Sequence, residues 1–85
     1  MGDNVFIPNP PDVVTILWER SPFEKEAPRT IREATVIGSA NPCQKKLVPG
    51  KRFNKARSCL LENGFEEIVS DSFFLHGISV FVRVG

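Results

Sequence analysis

The chain has no tyrosine, one tryptophan, one histidine and two cysteines in 85 residues. Each scarcity excludes something. One histidine and two cysteines, with no Cys-x-x-Cys pair, cannot close a four-ligand zinc site without carboxylates or a second subunit. No metal and no cofactor is expected. No apolar run approaches the ~18 residues of a membrane span, so no membrane partner is expected either. Met1-Gly2-Asp3-Asn4 lacks the basic start and apolar stretch of a signal peptide. Together with the low cysteine count, this leads to the expectation of a reducing compartment, cytoplasmic or nuclear. The phosphate-loop pattern GxxxxGK[ST] is absent.

What is present is ordinary for a folded chain: 41% hydrophobic and 25% charged residues, seven phenylalanines and a net charge of +1. The length allows one domain. A chain this small buries only about 60% of its unfolded surface, which leaves a thin core. A partner, or a second copy, would add apolar burial.

Residues 1–12 read as an extended arm. Pro8, Pro10 and Pro11 remove three backbone donors and force extended geometry. Phe6 and Ile7 precede them as apolar anchors for this domain or a neighbour. The domain proper is assigned to residues 13–85. Val13-Val14-Thr15-Ile16-Leu17-Trp18 is β-branched and aromatic with apolar groups on both faces, the pattern of a central strand covered on both sides. Glu19 to Arg29 is a loop carrying Pro22 and Pro28. Thr30 to Gly38 returns as a strand, strongest from Ala34 to Ile37. A second loop covers 41–50. Phe53, Ala56, Leu60 and Leu61 then recur at helical spacing, which predicts a helix over 51–64 ended by Asn63-Gly64.

The remainder reads as strand, turn, strand, with His76-Gly77 as a tight hairpin turn. In the last strand Ile78, Val80, Val82 and Val84 share one face, and Ser79, Phe81 and Arg83 the other. The order β-β-α-β-β implies an α+β fold, with one amphipathic helix packed on a mostly antiparallel sheet.

Charge is segregated. Lys45, Lys46, Lys51, Arg52, Lys55 and Arg57 fall between positions 45 and 57 with no acid among them. They surround a helix start that prefers acids, and no Ser, Thr, Asp or Asn from 47 to 53 caps it. An anion on the amides after Pro49-Gly50 would answer both defects. The segment is therefore a candidate contact for phosphate or an acidic partner. A solvated basic face is the plainer alternative.

No catalytic set converges. Glu66 and Glu67 are adjacent in a strand and point to opposite faces. Cys59 lies on the apolar helix face and reads as core. Cys43 stands beside Lys45 and Lys46, which favour its thiolate. A Cys43–His76 nucleophilic pair and a Cys43–Cys59 disulfide stand behind these readings.

The densest apolar stretch is Phe73 to Val84. As a central strand it is core. As an edge it offers an unprotected ladder to a partner. The expectation is a non-enzymatic protein-interaction module, docking or self-associating through its C-terminal hairpin, with Phe6, Ile7, Val80, Phe81 and Val82 at the interface. The partner would be another protein or a second copy. The alternative is nucleic-acid binding through segment 45–57.

Overall fold

The computed structural model describes residues 10–24 and 26–84. Phe6 and Ile7, with the rest of the arm up to residue 9, lie outside the described residues. The order is β1 (Asp12–Glu19), β2 (Thr30–Ile37), a single 3-10 turn at Gln44–Lys46, α1 (Phe53–Glu62), β3 (Glu66–Phe73) and β4 (His76–Arg83). The fold is α+β, as the order of elements implied.

The four strands form one antiparallel sheet in the order β2-β1-β4-β3. The two central strands, β1 and β4, supply the fully buried Val14, Ile16 and Phe81, and none of the four strands contains proline. β4 is hydrogen-bonded on both sides, to β1 and to β3, so its ladder offers nothing for strand addition. The edges are β2 and β3. Each carries a bulge, with Arg32 the extra residue in β2 and Ile68 in β3. A bulge at an edge disrupts the ladder and discourages pairing with another chain.

One face of the sheet packs against α1. Val14, Ile16 and Trp18 of β1, Ile31 of β2 and Phe81 of β4 meet Phe53, Ala56 and Leu60 of the helix. Phe53 joins Trp18 and Phe81 in tilted contacts with ring centroids 6.0 and 6.5 Å apart. Each fully buried Phe contributes roughly 2–3 kcal/mol through lost apolar exposure. Phe81, expected at an interface, is wholly buried here. Strand alternation turns it toward the helix while Val80 and Val82 turn away.

Both helix ends follow from their residues. Gly64 takes φ +91°, open to it without a Cβ clash, and lets the Phe65 amide donate to the Leu60 carbonyl at 3.0 Å. Phe65 then buries against the core. At the other end Arg52 is the N-cap and supplies no side-chain cap. The main chain just before β2 takes that role, because Phe53 donates its amide to the Arg29 carbonyl at 2.9 Å.

Two findings correct the expected hairpin. The turn falls at Phe74-Leu75, with Phe74 at φ +57°, and β3 runs straight through Ser70-Asp71-Ser72. His76 and Gly77 belong to β4. Gly77 is required there because a Cβ would overlap the Trp18 indole lying across it. Glycine was serving a ring, not a turn.

At the opposite end of the sheet Arg83 acts as a clamp. Its guanidinium meets the Asp12 carboxylate at 2.9 Å and donates to the carbonyls of Ser39, Asn41 and Asn63. It also lies 4.3 Å from the centre of the Phe65 ring. The Ser39 amide donates to Asp12, and together with Arg83 this holds the Asp12 carboxyl below the usual carboxylate range.

Cys43 and Cys59 form a disulfide with Cα atoms 5.9 Å apart. Cys43, expected as a loop thiolate, is fully buried and bonded, and Cys59, expected as core, is half-buried. Asn63 caps the region from one side, donating to the Cys59 carbonyl at 2.8 Å. The bond ties the loop before α1 to the helix across 16 positions. It runs against the expectation of a reducing compartment, where such bonds are rare.

Candidate interaction surface

The six basic residues do not form one patch. Lys45 and Lys46 lie on the 3-10 turn, Lys51 and Arg52 at the helix start, and Lys55 and Arg57 within the helix. Lys55 and Arg57 are two positions apart, about 200° around the axis, so they face opposite ways. Lys46 and Lys55 border a groove that also holds Glu62. Arg57 points to β3 and pairs with Glu67 at 2.8 Å. Glu66, its neighbour, is exposed beside β4, so the two acids do split between faces.

The expected anion cradle is already occupied by the main chain. The Gly50 amide donates to the Ile31 carbonyl at 2.7 Å, and the Lys51 amide to the Val48 carbonyl at 3.1 Å. Arg29 adds a cation the sequence did not single out. Its guanidinium lies 4.6 Å from the Phe53 centroid and 5.0 Å from that of Trp18, and it donates to the Asn54 amide oxygen at 2.6 Å. Burial first, and then the charges of Arg20 and Arg57, lower its pKa from the usual guanidinium value. A cation stacked on core rings and bonded within the fold is a packing element.

The chemistry-bearing side chains stay apart. The disulfide removes the Cys43 thiol, so a Cys43–His76 nucleophilic pair is excluded in this structure. His76 is exposed at the start of β4. Among the described residues no three His, Cys, Asp or Glu side chains gather where a metal ion would sit. Among the described residues no helix is long and apolar enough to cross a membrane.

What the fold does gather is apolar surface, in two adjoining places. The first is one end of the sheet. Phe23, in the β1–β2 loop, is 93% exposed, Phe73 at the end of β3 74%, and Phe74 in the turn 86%. The Arg20 amide, donating to the Leu75 carbonyl at 2.8 Å, ties the loop to the turn. Phe73 and Phe74 stack edge to face with centroids 4.5 Å apart. Half of the six described phenylalanines thus stand in solvent at one end of the molecule, while Phe53, Phe65 and Phe81 are buried in the core.

The second place is the sheet face that α1 does not cover. It presents Val13 and Leu17 from β1 with Ile78, Val80 and Val82 from β4, all half-buried. The cross-strand pairs Val13–Val82, Thr15–Val80 and Leu17–Ile78 set these side chains in three rows. The edges add Thr35, Ile37 and Val69, with Glu33, Glu66 and Asp71 as a charged border. Near the aromatic end the face deepens into a groove of about 350 Å³. Leu17 and Ile78 contribute to its lining, with Arg32, Asp71 and Phe73 around them.

Val80 and Val82 were legible in the sequence as part of this surface. Phe73 and Phe74 were counted only as apolar density. Their adjacency was the available signal, since neighbours on a strand point to opposite faces and cannot both be core. Arg32 and Asp71 carried no signal, because a bulge and a register placed them. No protein-family model, no curated protein and no solved structure matches this chain.

Proposed function

We propose that this protein is a small non-enzymatic interaction module whose docking element is its C-terminal hairpin, β3 and β4, and whose partner is another protein or a second copy. The observation that carries the reading is the aromatic end. Phe73 and Phe74 stand in solvent, as does Phe23 in the loop tied to their turn, and Phe74 holds a left-handed φ of +57° that a bulky residue adopts at a cost of about 1–2 kcal/mol. Exposed aromatic side chains on a short, strand-anchored turn suit insertion into an apolar cleft, because little side-chain entropy is lost on binding.

A photo-crosslinking residue placed at position 74, with position 58 on the exposed helix face as control, tests this in the full chain inside the expressing cell. Protein adducts from position 74, absent from position 58, are expected. Equal labelling from both sites, or none from position 74, would remove the hairpin from the docking role.

The second reading is nucleic-acid binding by segment 45–57. It is favoured by one observation: Lys45, Lys46, Lys51, Arg52 and Lys55 are exposed, and among the described residues none pairs with a carboxylate. Purification at low and high salt, with absorbance read at 260 and 280 nm, separates the readings. Salt-labile nucleic acid, lost in a Lys51→Glu, Arg52→Glu variant, would reverse their order.

A further inference from the structure

We infer that the Cys43–Cys59 disulfide is an exchange site for a small anionic thiol, a tripeptide of the glutathione type, which enters at Cys59 from the groove on the outer face of α1. The site lies on the helix side of the molecule and does not depend on the docking reading of the hairpin.

The two sulfurs are not equivalent. Cys43 is fully buried in the core cluster, so no external nucleophile reaches it in the folded chain. Cys59 is half-buried and lines a groove of about 390 Å³. That volume falls within the roughly 300–1,000 Å³ of small-molecule sites. Helical spacing builds the groove. Lys55, Cys59 and Glu62 follow one another at i, i+4 and i+7, so they share one face of α1. Lys46 borders it from the 3-10 turn.

Charge selects the thiol. Lys46 and Lys55 are exposed, and among the described residues neither pairs with a carboxylate. With Glu62 they give the groove two cations and one anion. Glutathione carries the mirror of this set, two carboxylates and one ammonium. Both lysines also favour the thiolate of the entering group, which is its reactive form. A cationic thiol meets two like charges instead.

The exchange needs no outside oxidant. The entering thiolate attacks Cys59 Sγ. A new S–S bond forms there as the Cys43–Cys59 bond breaks, and Cys43 leaves with the electron pair as a thiolate. The proton given up by the entering thiol is matched by the one Cys43 then takes from water. The Asn63 side-chain amide donates toward both sulfurs, 3.9 Å from Cys43 Sγ and 3.8 Å from Cys59 Sγ, so a donor stands ready for the departing thiolate. A second thiol attacking the bound one releases Cys59 as a thiol and leaves with the first as their oxidised dimer. The bond that opens is the one tying the loop before α1 to the helix.

The test treats the full chain with reduced glutathione, cysteamine or mercaptoethanol, followed by acid quenching, alkylation and peptide mapping by mass spectrometry. Rates are divided by thiolate concentration. The first glutathione adduct is expected on Cys59, with the alkyl label on Cys43. Glutathione should react about tenfold faster than cysteamine, and a Lys46→Glu, Lys55→Glu variant should reverse that order while leaving mercaptoethanol unchanged. Both positions are exposed, so the fold is not at stake. Glutathione found equally on both cysteines, or first on Cys43, overturns entry through the groove, because thiols would then reach the bond only through unfolding. An unchanged rate order in the charge variant overturns the selection by Lys46 and Lys55. A bond that no thiol opens in the folded chain overturns the inference outright.

Discussion

Phe81 and Val80 are neighbours on β4 and lie on opposite faces of one sheet. Phe81 is sealed beneath α1 among Phe53 and Val14, whereas Val80 sits half-buried between Thr15 and Val69 with no second layer of described residues over it. The covered face was completed by a helix, a Schellman cap and a disulfide. The open face was left with aliphatic rows and a charged border. The difference teaches that a small chain with one helix can finish only one side of a four-stranded sheet.

Breaking the covered face should have the largest effect. Phe81→Ala is expected to cost about 3–5 kcal/mol by urea unfolding, through lost transfer energy and the cavity left beneath Phe53. Val80→Ala, one residue away, should cost about 1 kcal/mol or less in the monomer, since half of that side chain is already in water. Equal costs would mean that the two faces are not finished differently at all.

Next comes the staple. Replacing both Cys43 and Cys59 with serine is expected to cost about 3 kcal/mol, the loop-closure entropy of a ring this size. The same loss should appear on adding reductant to the unaltered chain.

A sharper probe is Ser79, which points into the covered face with its hydroxyl buried and unpartnered. Ser79→Ala should be stabilising by about 1 kcal/mol, because a hydroxyl without a hydrogen bond is a net penalty there. At the exposed end, Phe74→Gly should relieve the left-handed strain and raise stability by up to about 1 kcal/mol while removing docking. A variant that is more stable and less able to bind would show that the turn is kept for contact rather than for folding.

The smallest expected effect is on pH. The Asp12 carboxyl is lowered in the folded state by the Ser39 amide and Arg83. Its contribution is therefore fully present above the unfolded value of about 3.9, and is lost as the pH falls below it through the folded value. Acid unfolding followed by circular dichroism should show a shallower decline for Asp12→Asn than for the unaltered chain.

Local pattern was enough for some of this. The helix was legible because Phe53, Ala56 and Leu60 repeat at 3.6 and Gly64 closes the last turn. The alternation in β4, Val80 outward and Phe81 inward, followed from strand geometry alone. The turn was misplaced, because Gly77 carried a hairpin signature while its lack of a Cβ answered the Trp18 ring on the neighbouring strand. The phosphate cradle was also misread. The uncapped amides near 50–53 looked free in one dimension and are bonded to Arg29 and Ile31 in three.

Periodicity, composition and cap chemistry act over a few residues, so the sequence by itself determined the elements, their faces and the α+β class. Strand order, the burial of Cys43 against Cys59, the Arg83 clamp and the gathering of Phe23, Phe73 and Phe74 at one end are contacts between residues far apart in the chain. Which of those contacts form is decided by competition among packings of the whole domain, and only the tertiary structure records the one that buries most apolar surface while leaving the fewest polar groups unpaired.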